Sequence, residues 1–240
     1  QMSDIVFVLI HSPLVGPLTW KPVAERLAER GYRAVVPILT SAIGAGPPYW
    51  RRHIDEVDRD LGEISEDESL VLVGHSGAGA LLPVLGANLL HEVAAYLFVD
   101  AGIPEDSRSR FDLFGDDEQV TALRRRAQNG LLPPWNQWFP EAAMERLLPD
   151  AAMRLKFIKE LQPTPLAVYE EPIPVPMDWP DARCSYLQLS AAYSGEARKA
   201  RQRGWPVMEV HGNHLQMLVD PETVADVLLS VVLGSTDREP

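Results

Sequence analysis

The sequence predicts an α/β protein, a mostly parallel sheet of about six strands with helices on both faces. Two observations carry this. Short apolar runs rich in β-branched residues recur along the 240 residues. Amphipathic stretches with helical spacing separate them, and buried strands alternating with helices imply a parallel sheet covered on both sides.

The elements follow in order. Ile5 to Ile10 is a continuous apolar run and reads as a buried strand. Lys21 to Arg30 places Val23, Leu27 and Ala28 on one helical face and stops at Gly31. Tyr32 to Leu39 reads as a second strand, and Tyr49 to Ile64 as a charged helix with Trp50, Ile54, Val57, Leu61 and Ile64 inward. Leu70 to Val73 is a third strand, running through a small-residue turn into a helix from Ala80 to Leu90. Ala94 to Val99, Cys184 to Leu189 and Val207 to Val210 supply three more strands. Asp220 is a suitable N-cap and Pro221 suits the first position of a last helix, Thr223 to Leu233.

Between the fourth and fifth strands lie about 80 residues with no clear strand, and ten of the 21 prolines fall between Pro133 and Pro180. Helical pieces are readable at Glu118 to Ala127, Glu141 to Leu148 and Ala151 to Leu161. Trp135, Trp138, Phe139, Met144 and Trp179 also fall here. An insertion this aromatic reads as a lid over a pocket; the alternative is that its rings only pack it onto the body. The expected organisation is a core of 1–102 and 181–240 with a helical lid, 103–180, inserted into it.

With 34 acidic and 22 basic residues the net charge is −12. That argues against nucleic acid or an anionic membrane as partner, since both need a basic face. A small-molecule substrate is expected, with the chain a monomer or homodimer. Cys184 is the single cysteine, so no internal disulfide forms and a reducing compartment is compatible. No apolar run approaches a membrane span, and Ile5 to Ile10 is too short for a signal-peptide core. A cytoplasmic protein is the expectation.

The most specific signal is Val71-Leu72-Val73-Gly74-His75-Ser76-Gly77-Ala78-Gly79. A buried strand feeds a serine flanked by small residues, and a helix follows. A nucleophile on such a turn is backbone-strained, so its neighbours must be small for strand and helix to approach. Its hydroxyl then stands at the C-terminal edge of the sheet, with the Gly77 N–H facing a developing oxyanion. A serine hydroxyl also needs a base within reach. Of six histidines, His214 in His211-Gly212-Asn213-His214 lies just after the last strand, with His211 a weaker rival. His75 reads as packing within the turn, and His53 and His91 read as surface helix residues.

These residues resemble the α/β-hydrolase superfamily, whose usual motif is Gly-x-Ser-x-Gly; here Ala78 replaces the last glycine and Gly79 follows. The similarity spans nearly the whole chain, beginning at the family's third strand. His11 to Trp20 resembles the small plant methylesterase and hydroxynitrile-lyase branch. The resemblance implies the chain order Ser, acid, His, with His214 as base and His11 structural near the oxyanion loop. It implies neither metal nor organic cofactor. The family's usual acid position, in Ser190 to Glu196, holds no Asp, so Glu196 is one candidate. The family's other site is the preceding strand's end, where Asp100 would point into the active-site edge; Asp100 is favoured, and a site with no acid is the remaining alternative.

The resemblance places the second oxyanion donor at Pro13, which has no N–H. Losing one such donor costs roughly 10²–10³ in rate. A shifted loop could offer the Leu14 N–H, or the hydroxyl of Ser12 or Thr19. The leading expectation is a serine hydrolase of an ester, thioester or lactone of a small apolar substrate, using Ser76, His214 and Asp100. Gly77 and Leu14 would serve the oxyanion, and Ser12, Pro13, Trp135 and Trp138 the substrate pocket. The alternative is a lyase, isomerase or cyclase using Ser76 and His214 as an acid–base pair, and a third reading is a silent small-molecule binding protein.

Overall fold

The computed structural model describes residues 5–40, 44–114 and 116–234; the outer ends of the expected core, 1–4 and 235–240, lie outside them. Six strands form one sheet: β1 (Ile5–Ile10), β2 (Arg33–Val35), β3 (Ser69–His75), β4 (Val93–Val99), β7 (Arg183–Gln188) and β8 (Val207–Glu209). Their order is β2-β1-β3-β4-β7-β8, and every neighbouring pair is parallel. This is the parallel sheet of about six strands expected above.

Side-chain alternation explains why the strands read as continuous apolar runs. Val6, Val8 and Ile10 of β1, Leu70 and Leu72 of β3, and Tyr96 and Phe98 of β4 enter one core layer. Phe7, Leu9, Val71, Val73, Leu97 and Val99 enter the opposite one. Helices α2 (Tyr49–Leu61), α3 (Leu82–Asn88) and α9 (Ser194–Gln202) cover the first layer. Helices α1 (Lys21–Glu29), α10 (Gln216–Val219) and α11 (Pro221–Leu233) cover the second. Asp220 caps α11 by accepting the Thr223 N–H at 3.1 Å. Among the described residues no helix is long and apolar enough to cross a membrane.

The expected strand over Tyr32 to Leu39 is shorter than its apolar pattern. Pro37 has no N–H to give a ladder. The amides beyond it go to side chains instead, Ile38 to Asp60 at 2.8 Å and Leu39 to the His11 ring at 3.1 Å. Two of the histidines expected at the surface are inside. His53 is fully buried with Nδ1 2.9 Å from Glu56, and His91 is buried with Nε2 3.1 Å from the Ile64 carbonyl. Helical spacing places a residue on a face, and a neighbouring element decides whether that face is covered.

Residues between β4 and β7 form helices α4 (Arg110–Phe114), α5 (Asp117–Arg126), α6 (Glu141–Leu147), α7 (Ala151–Lys159) and α8 (Leu166–Glu170). They also hold an antiparallel pair, β5 (Leu131–Leu132) with β6 (Thr164–Pro165), two residues each and too short to announce itself by periodicity. Phe111, Leu132, Phe157 and Tyr169 pack with Leu14 and Val15 of the loop after β1, making a third apolar cluster. Carboxylates tie this segment to the sheet-bearing body. Pro48 gives α2 no side-chain cap, and Glu171 instead accepts the orphan N–H groups of Tyr49 (2.9 Å) and Trp50 (2.8 Å). Glu160 accepts the Leu18 N–H at 2.9 Å.

Candidate active site

β3 ends at His75, and Ser76 follows with φ 54°, the left-handed region that a non-glycine residue enters at a cost. A short 3₁₀ helix, Ser76–Leu81, then leads into α3. The small neighbours are required by contact distances. A Cβ on Gly74 would lie 3.1 Å from the Leu82 side chain. A Cβ on Gly79 would lie 2.7 Å from the Ala101 Cβ and 3.1 Å from the Gly102 carbonyl. Ala78 is buried, and the close approach to Ala101 falls on the glycine after it. Gly79→Ala is expected to lose about 1–3 kcal/mol of stability through overpacking, read as a drop in melting temperature. An unchanged melting temperature would show that the turn relaxes freely.

His214 sits in the loop after β8 with both ring nitrogens engaged. Nε2 lies 3.1 Å from Ser76 Oγ, and Nδ1 lies 3.0 Å from Asp100 Oδ2. Asp100 ends β4 with φ 41° and is fully buried. Its Oδ1 accepts the N–H groups of Leu189 (2.6 Å) and Ser190 (3.2 Å) from the end of β7, and its Oδ2 also accepts the Ser190 hydroxyl at 2.7 Å. These three donors fix the buried carboxylate in one orientation. The sheet order brings this about, because β4 and β8 both neighbour β7.

Two further groups hold the histidine. The His75 ring, buried and neutral, donates from Nε2 to the His214 carbonyl at 2.8 Å. Burial first, and then the neighbouring His214, hold its pKa well below the usual value. The Tyr193 ring stacks on the His214 ring at 5.1 Å with 1° between planes. Its hydroxyl neighbours Ser76, and burial pushes that phenol up to about 12. The sequence places His75 in the packing of the turn and offers no motif for Ser190 or Tyr193. The signal for the last two was their place in the loop where the family's acid usually stands.

Glu196 does not reach the histidine. Its carboxylate is occupied by the Ile103 N–H at 2.9 Å and by Lys199 at 2.8 Å. His211 is exposed beside Glu209 and away from Ser76.

Gly77 lies in the first helical turn, whose leading N–H groups have no partner within the helix. The loop opposite is spoken for. The Leu14 N–H donates to Ser12 Oγ at 3.2 Å, and the Val15 N–H to the Ser12 carbonyl at 3.1 Å. The Leu14 N–H expected to face the oxyanion is therefore turned into its own loop. The Thr19 hydroxyl donates to the Gly16 carbonyl at 2.7 Å. His11 fixes this loop from below, with Nδ1 donating to the Ser12 carbonyl (2.8 Å) and Nε2 accepting from Leu39 (3.1 Å).

Two residues of the insertion reach the Ser76 turn, and no local motif marks them. Arg110 is buried and donates from Nε to the Gly77 carbonyl at 2.7 Å and from Nη1 to the Val168 carbonyl at 3.0 Å. Tyr169 is buried with its hydroxyl 3.4 Å from Ser12 Oγ.

A cavity of about 850 Å³ opens over Ser76 and His214. Leu14, Leu123, Trp135, Trp138 and Phe139 give it apolar walls. Ser12 and Pro13, expected in the pocket, do not line it. Both are buried, and Leu14 is the residue their loop turns toward the cavity. Among the described residues no three His, Cys, Asp or Glu side chains converge to hold a metal ion.

A model of the alpha/beta hydrolase family matches residues 7–227. Polyneuridine aldehyde esterase of Rauvolfia serpentina is 29% identical over 113 residues, which cover 43% of this chain and 41% of that protein. The match therefore spans less than half of that relative's length. An extracellular alpha/beta-hydrolase from a Paenibacillus species superposes with a TM-score of 0.74 at 19% identity, covering 95% of this chain and 98% of that one. The crystal structure of polyneuridine aldehyde esterase gives 0.68 at 19% identity, covering 95% and 99%. At such identities these superpositions establish the fold.

Proposed function

The chain belongs to the alpha/beta hydrolase family, and from that premise we propose that it is a serine-dependent carboxylic ester hydrolase acting on a small apolar substrate. The observation that carries this is the unbroken relay from Asp100 Oδ2 through both nitrogens of His214 to Ser76 Oγ, at 3.0 and 3.1 Å. With its Nδ1–H donated to Asp100, the neutral ring presents Nε2 as an acceptor to the Ser76 hydroxyl. Ser76 Oγ attacks the ester carbonyl while His214 Nε2 takes its proton. The imidazolium then returns that proton to the departing alkoxide. Water, activated by the same ring, releases the acid from Ser76. The esterase name of the relative in Rauvolfia serpentina supports the ester class. The apolar cavity supports a small apolar substrate, and the helical insertion acts as its lid.

A fluorophosphonate probe tests the reading. Stoichiometric labelling that vanishes in Ser76→Ala, with parallel loss of p-nitrophenyl butyrate hydrolysis, is the expected result. A folded sample that takes no label would sink it. One observation favours a second reading, a lyase, isomerase or cyclase using the same Ser76–His214 pair: the loop after β1 offers neither a Pro13 N–H nor a free Leu14 N–H to an oxyanion. Labelling without hydrolysis of any ester in a p-nitrophenyl acetate-to-octanoate series would support that alternative.

A further inference from the structure

Ester hydrolysis at Ser76 drives the carbonyl electrons onto oxygen, and that oxyanion needs two donors in place beforehand. Gly77 offers one N–H, and the loop that should offer the other has no free amide at Pro13, Leu14 or Val15. A different donor already stands beside Gly77. A Cβ on Gly77 would lie 2.8 Å from the Tyr169 hydroxyl, so this phenol is pressed against the backbone that bears the first donor. Tyr169 lines the cavity together with Ser76 and Gly77. Among the described residues its hydroxyl has one hydrogen-bond contact, Ser12 Oγ at 3.4 Å, which is long for O–H···O. A buried hydroxyl with so weak a partner has a proton to offer.

We propose that the Tyr169 hydroxyl is the second oxyanion donor, supplied by the helical insertion in place of the N–H that Pro13 lacks. The inference rests on the ester-hydrolase reading above. As the Ser76 Oγ–carbon bond forms, the carbonyl oxygen takes the electron pair and accepts hydrogen bonds from the Gly77 N–H and the Tyr169 O–H. The phenol keeps its proton throughout. When the tetrahedral centre collapses, the C=O bond re-forms and the ester C–O bond breaks toward the alkoxide, which is protonated from His214. Burial raises the phenol's pKa, so it remains a donor at neutral pH. Arg110 is the positioning residue. Its guanidinium bridges the Gly77 and Val168 carbonyls, tying the residue before Tyr169 to the nucleophile turn, and its carbon lies 5.6 Å from the Tyr169 ring centre. A buried cation there also favours negative charge on the neighbouring oxygen.

The experiment pairs two ketones with Tyr169→Phe. 1,1,1-Trifluoro-2-octanone forms a tetrahedral adduct with an activated serine, whereas 2-octanone binds without an oxyanion. Tyr169→Phe is expected to weaken the trifluoro ketone by about 10²–10³-fold and leave 2-octanone unchanged. The kcat for p-nitrophenyl butyrate should fall by the same factor at an unchanged KM. A trifluoro ketone affinity and kcat within threefold of the parent protein overturn the proposal. Parallel weakening of both ketones also overturns it, since that is what loss of packing would do. A parent protein that neither hydrolyses the ester nor binds the trifluoro ketone removes the ester-hydrolase reading, and this proposal with it. An active parent with an indifferent Tyr169→Phe removes this proposal alone.

Discussion

Asp100→Asn is expected to lower kcat by about 10⁴-fold, as loss of the orienting acid does in a measured triad, while the protein stays folded. The carbonyl oxygen of the new amide can keep the Leu189 and Ser190 N–H bonds that Asp100 Oδ1 accepts now. Its NH2 then faces the His214 ring where Asp100 Oδ2 stood at 3.0 Å. An amide donor there selects the tautomer with Nδ1 bare and Nε2 protonated. Nε2 then points a proton at Ser76 Oγ and cannot accept one. Near-normal hydrolysis by Asp100→Asn, or a comparable loss in Glu196→Gln, would sink the assignment of Asp100 as the acid.

Lowering the pH from 7 toward 4 is expected to destabilise the protein well before its carboxylates titrate in bulk. Three buried histidines, His11, His53 and His75, have pKa values pushed down, chiefly by burial. His11 falls to about 4 although its bond to the Ser12 carbonyl opposes the shift. An unfolded chain takes up a proton on such a group near pH 6.5, whereas the folded chain refuses it until about pH 4. The unfolded state therefore binds more protons across that window, and stability falls as pH falls. For His11 the gap amounts to about 3 kcal/mol, of which about 2 is lost by pH 5. His53 and His75 act in the same direction. Glu171, raised by burial, acts in the opposite one, because the folded state takes up its proton earlier. Urea midpoints measured from pH 7.5 to 4.5 check this. The midpoint should begin to drop near pH 6.5 and keep falling, and a flat profile down to pH 5 would contradict it.

Much of the fold was legible because its signals are local. β1 and β3 are apolar on both faces, and each is followed by helix-forming sequence. Those two facts determine a covered parallel sheet. The Ser76 turn was legible for a related reason: Gly74 and Gly79 are small where strand and helix approach closely. Pro13 announced its own deficiency, since a missing N–H is a property of the residue itself.

Tertiary structure alone decided the rest. Asp100 had Glu196 as a sequence rival, and the choice fell to the strand order, which sets the tip of β4 near the loop after β8. His53 and His91 looked like surface residues until neighbouring elements covered their faces. Arg110, Tyr169, Ser190 and Tyr193 carry no motif, because each matters through a partner distant in the chain. The sequence by itself determined the architecture and the place of the Ser76 turn, since periodicity and small-residue spacing act between near neighbours. The acid at His214, and whatever faces Gly77 where Pro13 has no N–H, depend on how the chain's return path folds segments onto one sheet edge, and no local pattern encodes that meeting.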